Sequence, residues 1–111
     1  MNLTLPYPPS ANRYWRNVRG RMVISAEARA YRAAIARICR GMTPMAGAVA
    51  VDVIVFRPAK RGDLDNTLKV LLDSLKGFAF IDDDQVVDIR ATRHDDKLNP
   101  RAELVVRAVA S

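Results

Sequence analysis

A chain of 111 residues is the size of one ordinary domain, and a domain this small often dimerises to bury more core. Half of its residues are hydrophobic and 27% are charged, which excludes a disordered chain. No apolar run nears the roughly 20 residues of a membrane span, there is no charged-then-apolar export pattern at the N-terminus, and a single cysteine, Cys39, excludes a disulfide scaffold or a cysteine-rich zinc domain and points to a reducing, cytoplasmic setting.

In chain order, Leu3 to Leu5 begins a short strand that the prolines at 6, 8 and 9 stop, because each lacks a backbone donor and fixes φ. Asn12 to Trp15 and Arg21 to Ile24 are expected as two short strands around an Asn17–Gly20 turn. Ser25 caps a helix predicted to run to about Arg40, with Glu27 in its first turn and Gly41 beyond its end. Its apolar stripe is Ala28, Tyr31, Ile35 and Ile38. After a loop at 43–47, Val49, Val51, Val53 and Val55 alternate as one face of a strand that Pro58 ends.

From Asp63, the apolar positions Leu64, Leu68, Leu71, Leu72 and Leu75 mark a second helix, closed by Gly77. An acidic turn, Asp82 to Asp84, leads to a strand from about Gln85 to Thr92. A polar loop, Arg93 to Arg101, precedes a last strand from Ala102 to Val109. The expected fold class is α/β (mixed α+β): one compact domain, residues 1–111, with a mixed β-sheet packed against two main α-helices.

Charge is unevenly spread. There are 18 basic and 12 acidic residues, a net of +6, and 14 of the basic residues are Arg. Arg grips phosphate through a planar fork, so this bias favours nucleic acid as partner. Residues 1–61 hold 11 positive and 2 negative side chains, whereas 62–111 hold 7 and 10. Arg13, Arg16, Arg19, Arg21 and Arg61 are the candidate DNA contacts, and each is equally readable as solvated surface. Ten of the acids are Asp, a residue of turns, caps and metal sites rather than of helix surfaces.

Asp63 and Asp65 flank Leu64 where a loop becomes a helix. In extended backbone both carboxylates project to one side, and two hard oxygen ligands suit Mg²⁺, which binds one or two carboxylates plus water and phosphate. Lys69 lies four residues beyond Asp65, where it can pair with that carboxylate or meet charge developing on a phosphate. The same residues also read as an N-cap, a helix-dipole partner and a surface ion pair. The Asp82–Asp84 cluster would join them only if folding brought the two acidic segments together. His94 reads as surface or loop, and Cys39 as a small apolar filler. Tyr14 and Trp15 read either as base-stacking or as core residues.

Three segments resemble the RusA family of Holliday-junction resolvases, small endodeoxyribonucleases common in prophages. They are Leu5 to Trp15 (LPYPPSANRYW), Asp63 to Asn66 (DLDN) with Lys69, and Ile81 to Asp88 (IDDDQVVD). The resemblance implies Mg²⁺-dependent hydrolysis of four-way branched DNA by a homodimer. It also implies that Asp63, Asp65 and Asp83 are the metal-binding catalytic acids, with Lys69 as an essential catalytic lysine; Asp82 matches a further family acid. The family's usual basic residue before the first aspartate is replaced here by Gly62, with Arg61 one step earlier. A non-catalytic nucleic-acid-binding module, or a nuclease of broader branched-DNA taste, would share much of this pattern.

Overall fold

The computed structural model describes residues 1–60 and 63–110. Its elements run β1 (Asn2–Pro6), α1 (Ala11–Tyr14), β2 (Trp15–Val18), β3 (Arg21–Ile24), α2 (Ala26–Ile38), β4 (Val49–Arg57), α3 (Leu64–Leu75), a 3-10 turn (Asp83–Gln85), β5 (Val86–Asp95) and β6 (Arg101–Ala108). Four strands form one sheet in the order β1-β6-β4-β5, and β2 with β3 makes a separate hairpin. β4 pairs with β5 in parallel and with β6 antiparallel, so the sheet is mixed, as expected from the sequence.

The alternation of β4 decides how this sheet is covered. Val49, Val51, Val53 and Val55 are all buried, and they pack with Leu71 and Leu75 of α3, Tyr31 and Ile35 of α2, and Leu104 and Val106 of β6. Each such side chain contributes about 1.5–3 kcal/mol on leaving water. The opposite face carries Asp52, Ile54 and Phe56, none of them fully buried. Because β5 is parallel to β4, the chain must cross back between them, and α3 is that crossover. Its N-terminus therefore lies near the end of β4 and its C-terminus near the start of β5.

Several expectations are corrected. Residues 12–15 do not form a strand: Arg13 and Tyr14 donate backbone hydrogen bonds to Ser10 O at 3.0 and 2.9 Å, making a single helical turn that drives Tyr14 into a second core cluster with Ala28 and Val70. The hairpin starts only at Trp15. Its loop is Arg19–Gly20, both at positive φ (53° and 80°), the twist that a two-residue hairpin loop demands. Asn17 Oδ1 accepts from Gly20 N at 3.0 Å.

α2 stops at Ile38, two residues short of the expected Arg40. The stripe's last member, Ile38, is consequently exposed, and Cys39 is buried in its place. β5 begins at Val86 and extends to Asp95, so the polar loop shrinks to 96–100. Register carries β5 alongside β4 as far as Arg57↔Asp95, a pair closed by the Arg57–Asp95 salt bridge. His94 thus lies on a strand, exposed but stacked on Phe56 at 5.6 Å. The last strand is displaced by one residue, to Arg101–Ala108.

Candidate active site

Asp63 is the N-cap of α3. Its backbone is extended (φ −110°, ψ 155°), its Oδ1 accepts from Asn66 N at 3.1 Å, and its carbonyl accepts from Thr67 Oγ1 at 3.2 Å. One carboxylate oxygen is committed to the cap, and among the described residues the other has no hydrogen-bond partner. Asp65 follows in the first turn, exposed to solvent. Both negative charges sit where the helix dipole favours them. Lys69, one turn on, is exposed, and among the described residues no carboxylate lies within 4.0 Å of it. The Asp65–Lys69 pair readable from the spacing is therefore not formed, and neither charge joins an ion pair among the described residues.

Asp83 stands elsewhere. It opens the 3-10 turn at the far end of α3, and its Oδ2 lies 3.7 Å from Lys76 Nζ. The same ammonium lies 3.8 Å from Asp82 and 3.8 Å from Asp73. The 12 residues of α3, at about 1.5 Å each, put roughly 18 Å between the two acidic ends. Among the described residues, no three His, Cys, Asp or Glu side chains come close enough to share a metal ion. A single chain thus joins Asp63 to Asp65 but does not bring Asp83 to them.

The acidic turn is firmly held. Asp82 Oδ1 accepts from Asp83 N at 2.7 Å, and Gln85 Oε1 accepts from Ile81 N and Asp82 N at 2.8 and 3.0 Å. Gln85 Nε2 donates to Met45 O and Gly47 O, both at 2.8 Å, pinning the turn to the loop before β4. Hydrogen bonding with Asp83 and then the Lys76 charge hold the Asp82 carboxyl below the usual carboxylate range.

A network that sequence reasoning missed ties this end to the helical turn α1. Tyr14 Oη donates to Asp73 Oδ2 at 2.5 Å, and Arg32 Nη1 donates to Asp73 O at 2.7 Å. Burial, and then the hydrogen bond with Asp73, raise the Tyr14 pKa above the ordinary phenol value. Tyr14 is fully buried and is core, not a base-stacking platform. Trp15 is half-buried, edge-on to Tyr14 at 4.6 Å. Nothing in the spacing of Asp73 distinguishes it from a surface acid; only the packing of α1 on α3 does.

Arg13, Arg16, Arg19 and Arg21 are all exposed on α1 and the hairpin, and none joins an ion pair among the described residues. Arg61 and Gly62 lie outside the described residues. Beside Asp63 a cleft of about 780 Å³ opens between the segment before α1, the first turns of α2 and the start of α3. No helix among the described residues is long and apolar enough to cross a membrane.

Comparison with known proteins identifies the family. The family model described as "Endodeoxyribonuclease RusA" matches residues 6–107. A crossover junction endodeoxyribonuclease of Enterobacteria phage 82 is 42% identical over 110 residues, covering 95% of this chain and 92% of that protein. Proteins of the same name from Escherichia coli K12 and Shigella sonnei are each 40% identical over the same share of both chains. With both acidic segments inside so extensive a match, the chain belongs to the RusA endodeoxyribonuclease family.

Proposed function

We propose that this protein is a Mg²⁺-dependent endodeoxyribonuclease that resolves four-way DNA junctions, acting as a homodimer in the cytoplasm. The observation that carries the reading is the start of α3: two exposed carboxylates and, one turn away, a lysine with no ion-pair partner among the described residues, in a chain about 40% identical to crossover junction endodeoxyribonucleases.

Asp63 and Asp65 are the acids that would hold the cation, and they fit Mg²⁺: both are hard oxygen donors open to solvent, and few enough to leave room for water and a phosphate oxygen. Bound there, the ion would make water nucleophilic at neutral pH and offset charge on the phosphate. Lys69 faces the same side of the helix, where its ammonium stabilises negative charge on the phosphate oxygens. The exposed arginines of α1 and the hairpin grip neighbouring phosphates without reading sequence. Buried, unpaired Cys39 fits a reducing compartment.

A homodimer answers the distance between Asp83 and the other acids. Among the described residues β5 is a sheet edge, paired only with β4, and it carries exposed apolar side chains at Val87 (61%) and Ile89 (42%), with Ile81 (65%) just before it. Edges of this kind recruit a second chain. A two-fold axis across this edge turns the partner end for end. Asp83 of the partner subunit then approaches the end of the sheet where Asp63 and Asp65 stand, and each site draws on both protomers.

Wild type and Asp65→Asn, incubated with a synthetic four-way junction with and without Mg²⁺, test the activity. The expected result is paired nicks in opposed strands, by the wild type alone and only with metal, while both proteins shift the junction on a gel. Tight binding with no scission in Mg²⁺ or Mn²⁺ would leave a DNA-binding protein without the enzyme.

A further inference from the structure

A lysine stands against Asp83 where the nuclease reading would put a metal ion. Lys76 Nζ lies 3.7 Å from Asp83 Oδ2, 3.8 Å from Asp82 Oδ1 and 3.8 Å from Asp73 Oδ1. Each separation exceeds the roughly 2.7–2.9 Å of a charge-assisted hydrogen bond, so the ammonium is shared by three carboxylates and committed to none. Among the described residues, Asp82 and Asp83 form no other ion pair.

The backbone fixes this meeting. Lys76 is the C-cap of α3, and Gly77, at a φ of 83°, turns the chain so that its amide donates to Phe80 O at 2.7 Å. Ala79 and Phe80 are fully buried, which anchors the turn and brings Asp82 and Asp83 back to the end of the helix. Asp73, three residues before Lys76, shares its face of α3 and has partners of its own. Tyr14 Oη donates to Asp73 Oδ2 at 2.5 Å, and Arg32 Nη1 lies 3.7 Å from the same oxygen. Lys76 thus has two anchorages, the acidic turn and its own helix, and can leave the first while keeping the second. Adjacent carboxylates such as Asp82 and Asp83 repel each other unless a cation lies between them. If Asp83 is a metal acid, an ammonium resting on it both supplies that cation and competes with the ion.

We propose that Lys76 is a positioning residue whose ammonium holds Asp82 and Asp83 in place of the metal ion, then yields Asp83 to the ion by withdrawing onto Asp73. The inference rests on the reading of Asp83 as a metal acid. Lys69, at the other end of α3, has no part in it: Lys69 is assigned to the phosphate, whereas Lys76 acts only through the acids.

Mn²⁺ binding to the purified protein without DNA, followed by the electron paramagnetic resonance of the free ion, tests this through a double-mutant cycle. Lys76→Met removes the competitor and keeps a long apolar stem, so the half-saturating Mn²⁺ concentration should fall about three- to tenfold. Asp73→Asn still accepts from Tyr14 but leaves the ammonium no charged place to withdraw to, so half-saturation should rise by about the same factor. The double variant should match Lys76→Met alone, because Asp73 acts only through Lys76. Independent charges would add instead and return the double variant to the wild-type value; that result overturns the proposal, as does weaker or unaltered binding by Lys76→Met. Hydrogen exchange gives a second readout. Without metal, exchange at the Asp83 and Gln85 amides should quicken in Lys76→Met and slow again on adding Mg²⁺, while Lys76→Arg, which keeps the charge, should behave as wild type. Exchange in Lys76→Met that never quickens, or that Mg²⁺ does not slow, counts against the proposal. Asp83→Asn separates the two ideas. If it binds Mn²⁺ as well as wild type does, or if wild type binds none, the metal reading of Asp83 fails and takes the proposal with it. If Asp83→Asn binds weakly and Lys76→Met does not bind more tightly, the proposal alone fails.

Discussion

Asp63 does two jobs that substitution can separate. As N-cap it satisfies Asn66 N, and as a charge it is the first acid of the proposed metal site. Asn caps nearly as well as Asp but ligates a hard cation poorly. Asp63→Asn should therefore keep the urea midpoint of the wild type and lose cleavage. Asp63→Ala should lose cleavage and about 1 kcal/mol of stability as well. Urea titrations beside junction assays check both; equal destabilisation by the two variants would show that the cap is not formed.

Among elements, the β5–β6 turn and the acidic turn before β5 hold carboxylates whose charged forms are favoured by folding. Arg57 lowers the Asp95 pKa, Arg101 with the Asn99 and Leu98 amides lowers that of Asp96, and Asp83 with Lys76 lowers that of Asp82. A carboxyl depressed in the folded state binds fewer protons there than in the unfolded chain, so stability rises with pH across that range. The contribution is complete above the ordinary carboxyl value of about 3.9 and is lost as pH falls through the lower folded values. The urea midpoint should thus drop from pH 5 to pH 2, and less steeply in Asp96→Asn. The β2–β3 hairpin makes a different prediction. If Arg16, Arg19 and Arg21 meet phosphates, replacing each with Ala should lower the slope of log affinity against log salt by about 0.9, whatever the DNA sequence.

At the scale of the whole molecule, the separation of roughly 18 Å along α3 is decisive for assembly. If the partner completes each site, a mixed dimer of Asp63→Asn and Asp83→Asn protomers contains one site with both acids mutated and one with both intact. Co-expressed with different tags and purified through both, that heterodimer should nick a single strand per junction, although each homodimer is inactive. An inactive heterodimer would mean that each chain builds its site alone, after rearranging the turn that Lys76 and Gln85 now hold.

Local physical chemistry sufficed for much of this protein. The valine alternation of β4, the leucine stripe of α3, the Ser25 and Asp63 caps and the juxtaposition of Asp63 with Asp65 all follow from periodicity and capping within a few residues, and tertiary packing agrees with them. Where packing competes with local preference, it prevails: burying Tyr14 makes a helical turn of a stretch that reads as strand, and pairing with β4 extends β5 through residues that read as loop. Ser74 and Val70, outside the leucine stripe, are buried because α1 and α2 cover a second face of α3. Which aspartate pairs with Lys76, which tyrosine wedges against Asp73, and how far Asp83 lies from Asp63 depend on the crossover between parallel strands. Those are contacts between residues distant in sequence, and no local pattern encodes a distance that only the closed fold creates.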